Sequence, residues 1–172
     1  MLVLRCTTKL LSKLGLPPRA EGETSSGLLG DWYATLVRTR RCHYVLAMAR
    51  NTLLPVVVSG RELRAFPLRL ASAVADVLAA YGVPAEAIEK ELAAMAPVRY
   101  VKTDDRSNVG VLTEFQRLLV DDLEYVPTAP LTALSLRLAH TPIVARNMFP
   151  EDATCRLFGI ALPRHRGMEF DN

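Results

Sequence analysis

The hydrophobic pattern of the chain changes period part-way along it. Residues 2–5 form a short apolar run that reads as a strand. Thr7 or Thr8 then stands where a cap for a brief helix through Leu14 belongs, and Gly15 stops that helix. Residues 32–39 alternate, with Trp32, Ala34 and Leu36 on one side and Tyr33, Thr35 and Val37 on the other. The segments 43–49 and 53–59 are continuous apolar runs of strand length, and the links at Arg40-Arg41 and Arg50-Asn51 are short enough for hairpins. An antiparallel meander is the simplest arrangement of these runs. Pro55 lacks an amide donor, which puts the last strand at an edge or at an irregularity.

From Leu63 onward the spacing becomes helical. Leu63, Phe66, Leu70, Val74, Leu78 and Tyr81 make one stripe, with Pro67 in the first turn of the main helix and Gly82 at its C-terminal cap. Residues 84–95 predict a second helix, with Ile88, Leu92 and Met95 inward and Glu86, Glu89, Lys90 and Glu91 outward. A further strand is expected over 98–101. Asp105 or Ser107 caps a helix carrying Leu112, Phe115, Leu119 and Leu123, and Pro130 opens another that Thr141-Pro142 ends. A short helix is expected over 152–158. Strands first and helices afterwards predict an α+β domain: a small antiparallel β-meander with helices packed mainly on one face. The whole of 1–172 reads as a single domain, with 17–27 as an exposed loop and 159–172 as a mobile tail.

Composition adds little to this picture. Half of the 172 residues are apolar, yet no run approaches the roughly 18 needed to span a bilayer. The stretch MLVLRCTTKLLSKLG reads as structure and not as an export signal, so a cytoplasmic protein without membrane association is expected. Cys6, Cys42 and Cys155 are widely separated, and no pair has metal-clip spacing. Neither a metal nor a cofactor is expected. No G-x-S-x-G elbow, H-E-x-x-H zinc pair or G-x-x-x-x-G-K-[ST] phosphate loop is present.

Charge is distributed unevenly. Residues 1–70 carry 11 basic and 4 acidic side chains, whereas residues 71–126 carry 5 basic and 10 acidic ones. Arg38, Arg40, Arg41 and Arg50 fall near the ends of the hairpin strands, where guanidinium groups can meet phosphates as a nucleic-acid contact. The alternative is a solvated hairpin tip. The basic hairpins and acidic helices also suit pairing between two copies, giving a homodimer, or pairing within one chain.

Two segments concentrate polar chemistry. In Leu29-Gly30-Asp31-Trp32-Tyr33, Gly30 permits a tight turn, Asp31 can accept backbone amides at a strand start, and Trp32 offers a large apolar surface. In Lys102-Thr103-Asp104-Asp105-Arg106-Ser107, cations, hydroxyls and carboxylates precede a helix whose free amides favour an anion. Trp32, Lys102, Arg106 and Ser107 are therefore the candidate ligand-binding residues. Asp31, Asp104 and Asp105 are the candidate catalytic carboxylates, able in principle to hold Mg²⁺ for phosphoester chemistry. Capped loops that use these carboxylates only for backbone donors are the competing explanation.

At these segments the chain resembles an uncharacterised family of small bacterial proteins, a domain of unknown function. Its R-C-T-x-K-L-L pattern is matched by Arg5, Cys6, Thr7, Lys9, Leu10 and Leu11. Its L-G-D-W-Y-A-N-L pattern is matched over 29–36, with Thr35 in place of Asn, and K-T-x-N-R-S by Lys102, Thr103, Arg106 and Ser107, with Asp105 in place of Asn. The resemblance implies no activity. The leading expectation is a non-catalytic binding or regulatory domain engaging a macromolecular partner, protein or nucleic acid. The alternative is a small metal-dependent enzyme acting on a phosphate-containing substrate.

Overall fold

In a computed structural model the chain is described over residues 1–19, 22–103 and 105–162. The element order is β1 (Leu2–Cys6), α1 (Thr8–Leu14), β2 (Trp32–Arg38), β3 (His43–Ala49), β4 (Pro55–Ser59), α2 (Phe66–Ala80), α3 (Ala85–Ala94), β5 (Val98–Lys102), α4 (Arg106–Tyr125), α5 (Leu131–Ala139) and α6 (Pro150–Leu157), with 3-10 turns at Leu63–Ala65 and Val144–Arg146. Gly15 ends α1 in the left-handed conformation, and Gly82 takes the same conformation just beyond α2. The expected tail residues 163–172 lie outside the described residues.

The strands form one sheet in the order β4-β3-β2-β1-β5. β2, β3 and β4 make the expected antiparallel meander, and Pro55 opens the edge strand β4. The sheet as a whole is mixed, not purely antiparallel, because β1 pairs in parallel with both β2 and β5. The physical reason is connection length. Helix α1 and the 15–31 stretch carry the chain back before β2 begins, which a tight hairpin cannot do. Likewise α2 and α3 lie between the meander and β5.

Helices pack on both faces of this α+β sheet, α1 and α2 on one and α4 on the other, where packing mainly on one face was expected. Trp32, Ala34, Leu36, Val45 and Ala47 pack with Leu10, Phe66, Leu70, Val74 and Leu78 in one core. Tyr33, Val37, Leu46, Met48 and Val57 pack with Leu112, Phe115 and Leu119 in a second core. Adjacent strand residues point to opposite faces, so the continuous apolar runs of β3 and β4 bury both sides. Helix α5 lies along the β4 edge. Its Leu134 and Leu138 join the second core and its Ala139 joins the first, while Ser135 Oγ accepts the outward Val57 amide at 2.9 Å. That bond occupies an edge donor which would otherwise face another strand or water.

One α3 residue reverses the expected helix face. Glu91 is buried, 3 % exposed, and its carboxylate accepts the Leu28 and Leu29 amides at 2.7 and 3.1 Å. The two amides offset the burial of a charge that would otherwise be costly. Among the described residues, no helix is long and apolar enough to cross a membrane.

Candidate functional site

Polar groups interrupt the second core where β1, β2 and the start of α4 meet. Asp31 immediately precedes β2, and Arg5 on β1 is the register partner of Tyr33 on β2. Arg5 Nε donates to Asp31 Oδ2 at 2.7 Å, with both side chains at most 5 % exposed. The Ser25 amide donates to Asp31 Oδ1 at 2.7 Å, and the half-exposed Arg50 approaches Oδ2 at 3.5 Å. Burial alone would raise the Asp31 pKa, but the Ser25 amide and the Arg5 guanidinium outweigh it and hold the carboxyl below its usual range. Both carboxylate oxygens therefore have donors.

Tyr33, the register partner of Arg5, makes a second polar contact, to the start of α4. Its hydroxyl donates to Asp105 Oδ2 at 3.2 Å, and burial is the chief reason that hydroxyl sits above the usual phenol range. Asp105 is the N-cap of α4, accepting the Asn108 amide at 3.1 Å on Oδ1 and Asn108 Nδ2 at 2.7 Å on Oδ2. The Asn108 amide is the leading cause that keeps this carboxyl below its ordinary value. Ser107 Oγ accepts from Arg146 Nη2 at 2.6 Å. Farther along β2, Thr35 Oγ1 and Thr7 Oγ1 lie 3.1 Å apart. The polar row Asp31, Tyr33, Thr35 follows from the two-residue period of the strand.

A second feature lies at the opposite end of β2. The β2–β3 hairpin tip and the C-terminal turns of α4 enclose a cleft of about 750 Å³. Arg38, Arg40 and Arg41 line it from the hairpin, while Val120, Leu123 and Pro127 supply apolar surface from α4 and the segment beyond it. All three arginines are exposed. Among the described residues, none of their guanidinium groups has a carboxylate within salt-bridge distance. Glu124 also lines the cleft. Tyr44 is half-buried in its wall, and burial followed by the nearby Cys42 raises its pKa, so the hydroxyl remains a donor at neutral pH.

The family model for a domain of unknown function, DUF6933, matches residues 3–153. The chain belongs to the DUF6933 family. No curated protein and no solved structure matches it. The matched region runs from β1 into α6 and so includes both the polar network and the cleft.

Within this DUF6933 domain the sequence-based candidates divide into separate groups. Asp31 is bonded to Arg5 and Asp105 to Tyr33, Arg5 and Tyr33 being register partners on β1 and β2, and Asp104 lies outside the described residues. Trp32 is fully buried on the other sheet face, on the side of Leu4. Lys102, the register partner of Cys6, also points to that side and is exposed. Arg106 and Ser107 are exposed at the start of α4, the helix that covers the opposite face. These four residues do not line one pocket. Arg50 stands at the far end of β3 from Arg38, Arg40 and Arg41, roughly 20 Å away by strand rise, so the four arginines do not form one cluster. Among the described residues, no group of three or more His, Cys, Asp or Glu side chains is placed to hold a metal ion.

The sequence reading missed Arg5, Glu91 and the apolar cleft wall. Arg5 had a signal, since a lone arginine inside an apolar strand implies a buried partner. Val120, Leu123 and Pro127 lie about eighty residues from the hairpin, and no local pattern joins them to it.

Proposed function

We propose that this DUF6933 domain is a non-catalytic binding module that engages a macromolecular partner through the arginine-lined cleft at the β2–β3 tip. The observation that carries this reading is the concave site that Arg38, Arg40 and Arg41 share with apolar side chains, where among the described residues no carboxylate lies within salt-bridge distance of them. Unpaired guanidinium groups are pre-set for carboxylate or phosphate, and apolar surface beside them adds non-directional affinity. The candidate carboxylates support the reading from the other side. Asp31 and Asp105 spend their oxygens on Arg5, Ser25, Tyr33 and Asn108, the pattern of groups that hold a fold together.

The test is titration of the purified domain with labelled polyanions, namely polyglutamate and mixed-sequence single-stranded DNA, at low and moderate salt. The expected result is salt-dependent binding that Arg38→Ala/Arg40→Ala/Arg41→Ala removes while the fold is retained. Binding that survives this triple substitution, or that disappears with Arg50→Ala instead, would refute the assignment.

A further inference from the structure

The proposed cleft has a composition that discriminates between partners. Resting on the binding reading above, we infer that its partner is an acidic peptide segment with apolar anchor residues, presented by another protein. Three features carry this choice. The first is charge complementarity: among the described residues Arg38, Arg40 and Arg41 outnumber the single cleft carboxylate, Glu124. The second is the apolar wall of Val120, Leu123 and Pro127, which gives nothing to a phosphate but buries leucine- or phenylalanine-sized side chains. The third is Glu124 itself. A nucleic acid would draw its continuous anionic backbone past that carboxylate, whereas a peptide can set an N–H against it and alternate acidic with apolar side chains. Single-strand recognition also relies on stacking platforms, and among the described residues Tyr44 is the one aromatic lining the cleft, half-buried in its wall. Acidic motifs read by arginine clusters, with apolar pockets setting specificity, are an established mode of peptide capture.

The experiment uses the full chain and two fluorescent peptide libraries of about ten residues. One is drawn from aspartate, glutamate, leucine and phenylalanine, and the other from aspartate, glutamate, serine and asparagine. A mixed-sequence single-stranded oligonucleotide is the third probe. The expected result is that the apolar-acidic library binds at least about tenfold more tightly than the polar-acidic one. Arg40→Glu/Arg41→Glu should weaken it by about tenfold or more through like-charge repulsion. Lys9→Glu/Lys13→Glu, the same charge change on the exposed face of α1, should leave it unaffected. Val120→Gln at the cleft wall should erase the preference between libraries and leave the arginine dependence in place. If the two libraries bind equally, or the oligonucleotide binds more tightly with the same arginine dependence, the peptide inference is wrong and the anion-binding cleft stands. If no probe binds in an Arg40- and Arg41-dependent way, both readings fall.

Discussion

Removing the buried carboxylate of Asp31 should be among the most damaging single changes available at the start of β2. Asp31→Ala takes from Arg5 Nε the carboxylate oxygen that Nε donates to at 2.7 Å, and from the Ser25 amide its acceptor. Breaking one side of a buried ion pair costs about 3–5 kcal/mol, because the remaining charge keeps its desolvation cost. The Arg50 contact, at 3.5 Å and with a side chain 47 % exposed, adds at most about 1 kcal/mol. Set against a usual domain stability of roughly 5–15 kcal/mol, such a loss leaves the variant marginal. The measurement is urea unfolding followed by fluorescence of Trp32, the chain's single tryptophan and a buried neighbour of the substituted position.

Two controls separate this reasoning from a generic packing defect. Arg5→Met/Asp31→Leu replaces both charges with apolar groups and should be distinctly more stable than Asp31→Ala alone. The second control is pH. Folding depresses the Asp31 pKa, so its contribution is complete above the unfolded carboxyl value of about 4 and is lost as pH falls through the lower folded value. Wild-type stability should thus fall more steeply on acidification below about pH 4 than that of Asp31→Ala. A cost under about 1 kcal/mol for the single substitution, or a double variant no better than the single, would refute the buried-pair argument.

Three further outcomes follow from named contacts. Glu91→Ala strips the acceptor from the Leu28 and Leu29 amides and should cost about 2–4 kcal/mol by urea unfolding, with faster hydrogen exchange at both amides. Ser135→Ala leaves the outward Val57 amide of the β4 edge without its acceptor, at a cost of about 1–2 kcal/mol, and the Val57 amide should lose exchange protection. Gly30→Ala and Gly82→Ala both place a side chain at positive φ, +77 and +83. At Gly30 the new Cβ also meets Asn51 Nδ2 at 2.9 Å, whereas at Gly82 nothing lies within 4 Å. The first should therefore lower the thermal midpoint more than the second, which costs about 1 kcal/mol.

Much of the element sequence was legible because each element carries its own local signature. Gly15 and Gly82 beyond their helices, Asp105 before α4 and Pro55 on an edge strand are all explained by backbone chemistry within a few residues. The parallel attachment of β1 and β5 was not legible, since strand direction depends on where long connections return. The second helical face had a signal: 43–49 and 53–59 are apolar throughout, the mark of strands buried on both sides. Glu91 follows Ile88 by three residues and precedes Met95 by four, which is the spacing of a buried stripe. Its charge argued for the outside until the Leu28 and Leu29 amides supplied a reason for the inside. For the candidate site, the hairpin arginines were visible and the wall they face was not.

On the proposed binding reading, the polar contacts serve stability and the cleft serves affinity. The motif residues Arg5 and Asp31 bond each other, and Tyr33 bonds Asp105 at the motif position before Arg106, across β1, β2 and the start of α4. They thereby tie the parallel half of the sheet to the helix covering its second face. Arg38, Arg40 and Arg41 bond to none of them and begin where β2 ends, roughly 20 Å from Asp31 by strand rise. Sites that far apart with no shared partner contribute additively. Substitution in the network should consequently change unfolding free energy at constant affinity per folded molecule. Substitution in the hairpin tip should change affinity at constant unfolding free energy, and combining the two should give the sum of each. A network variant that stays folded yet binds weakly would mean that the two regions are coupled, and would place Tyr33 and Asp105 within the binding function.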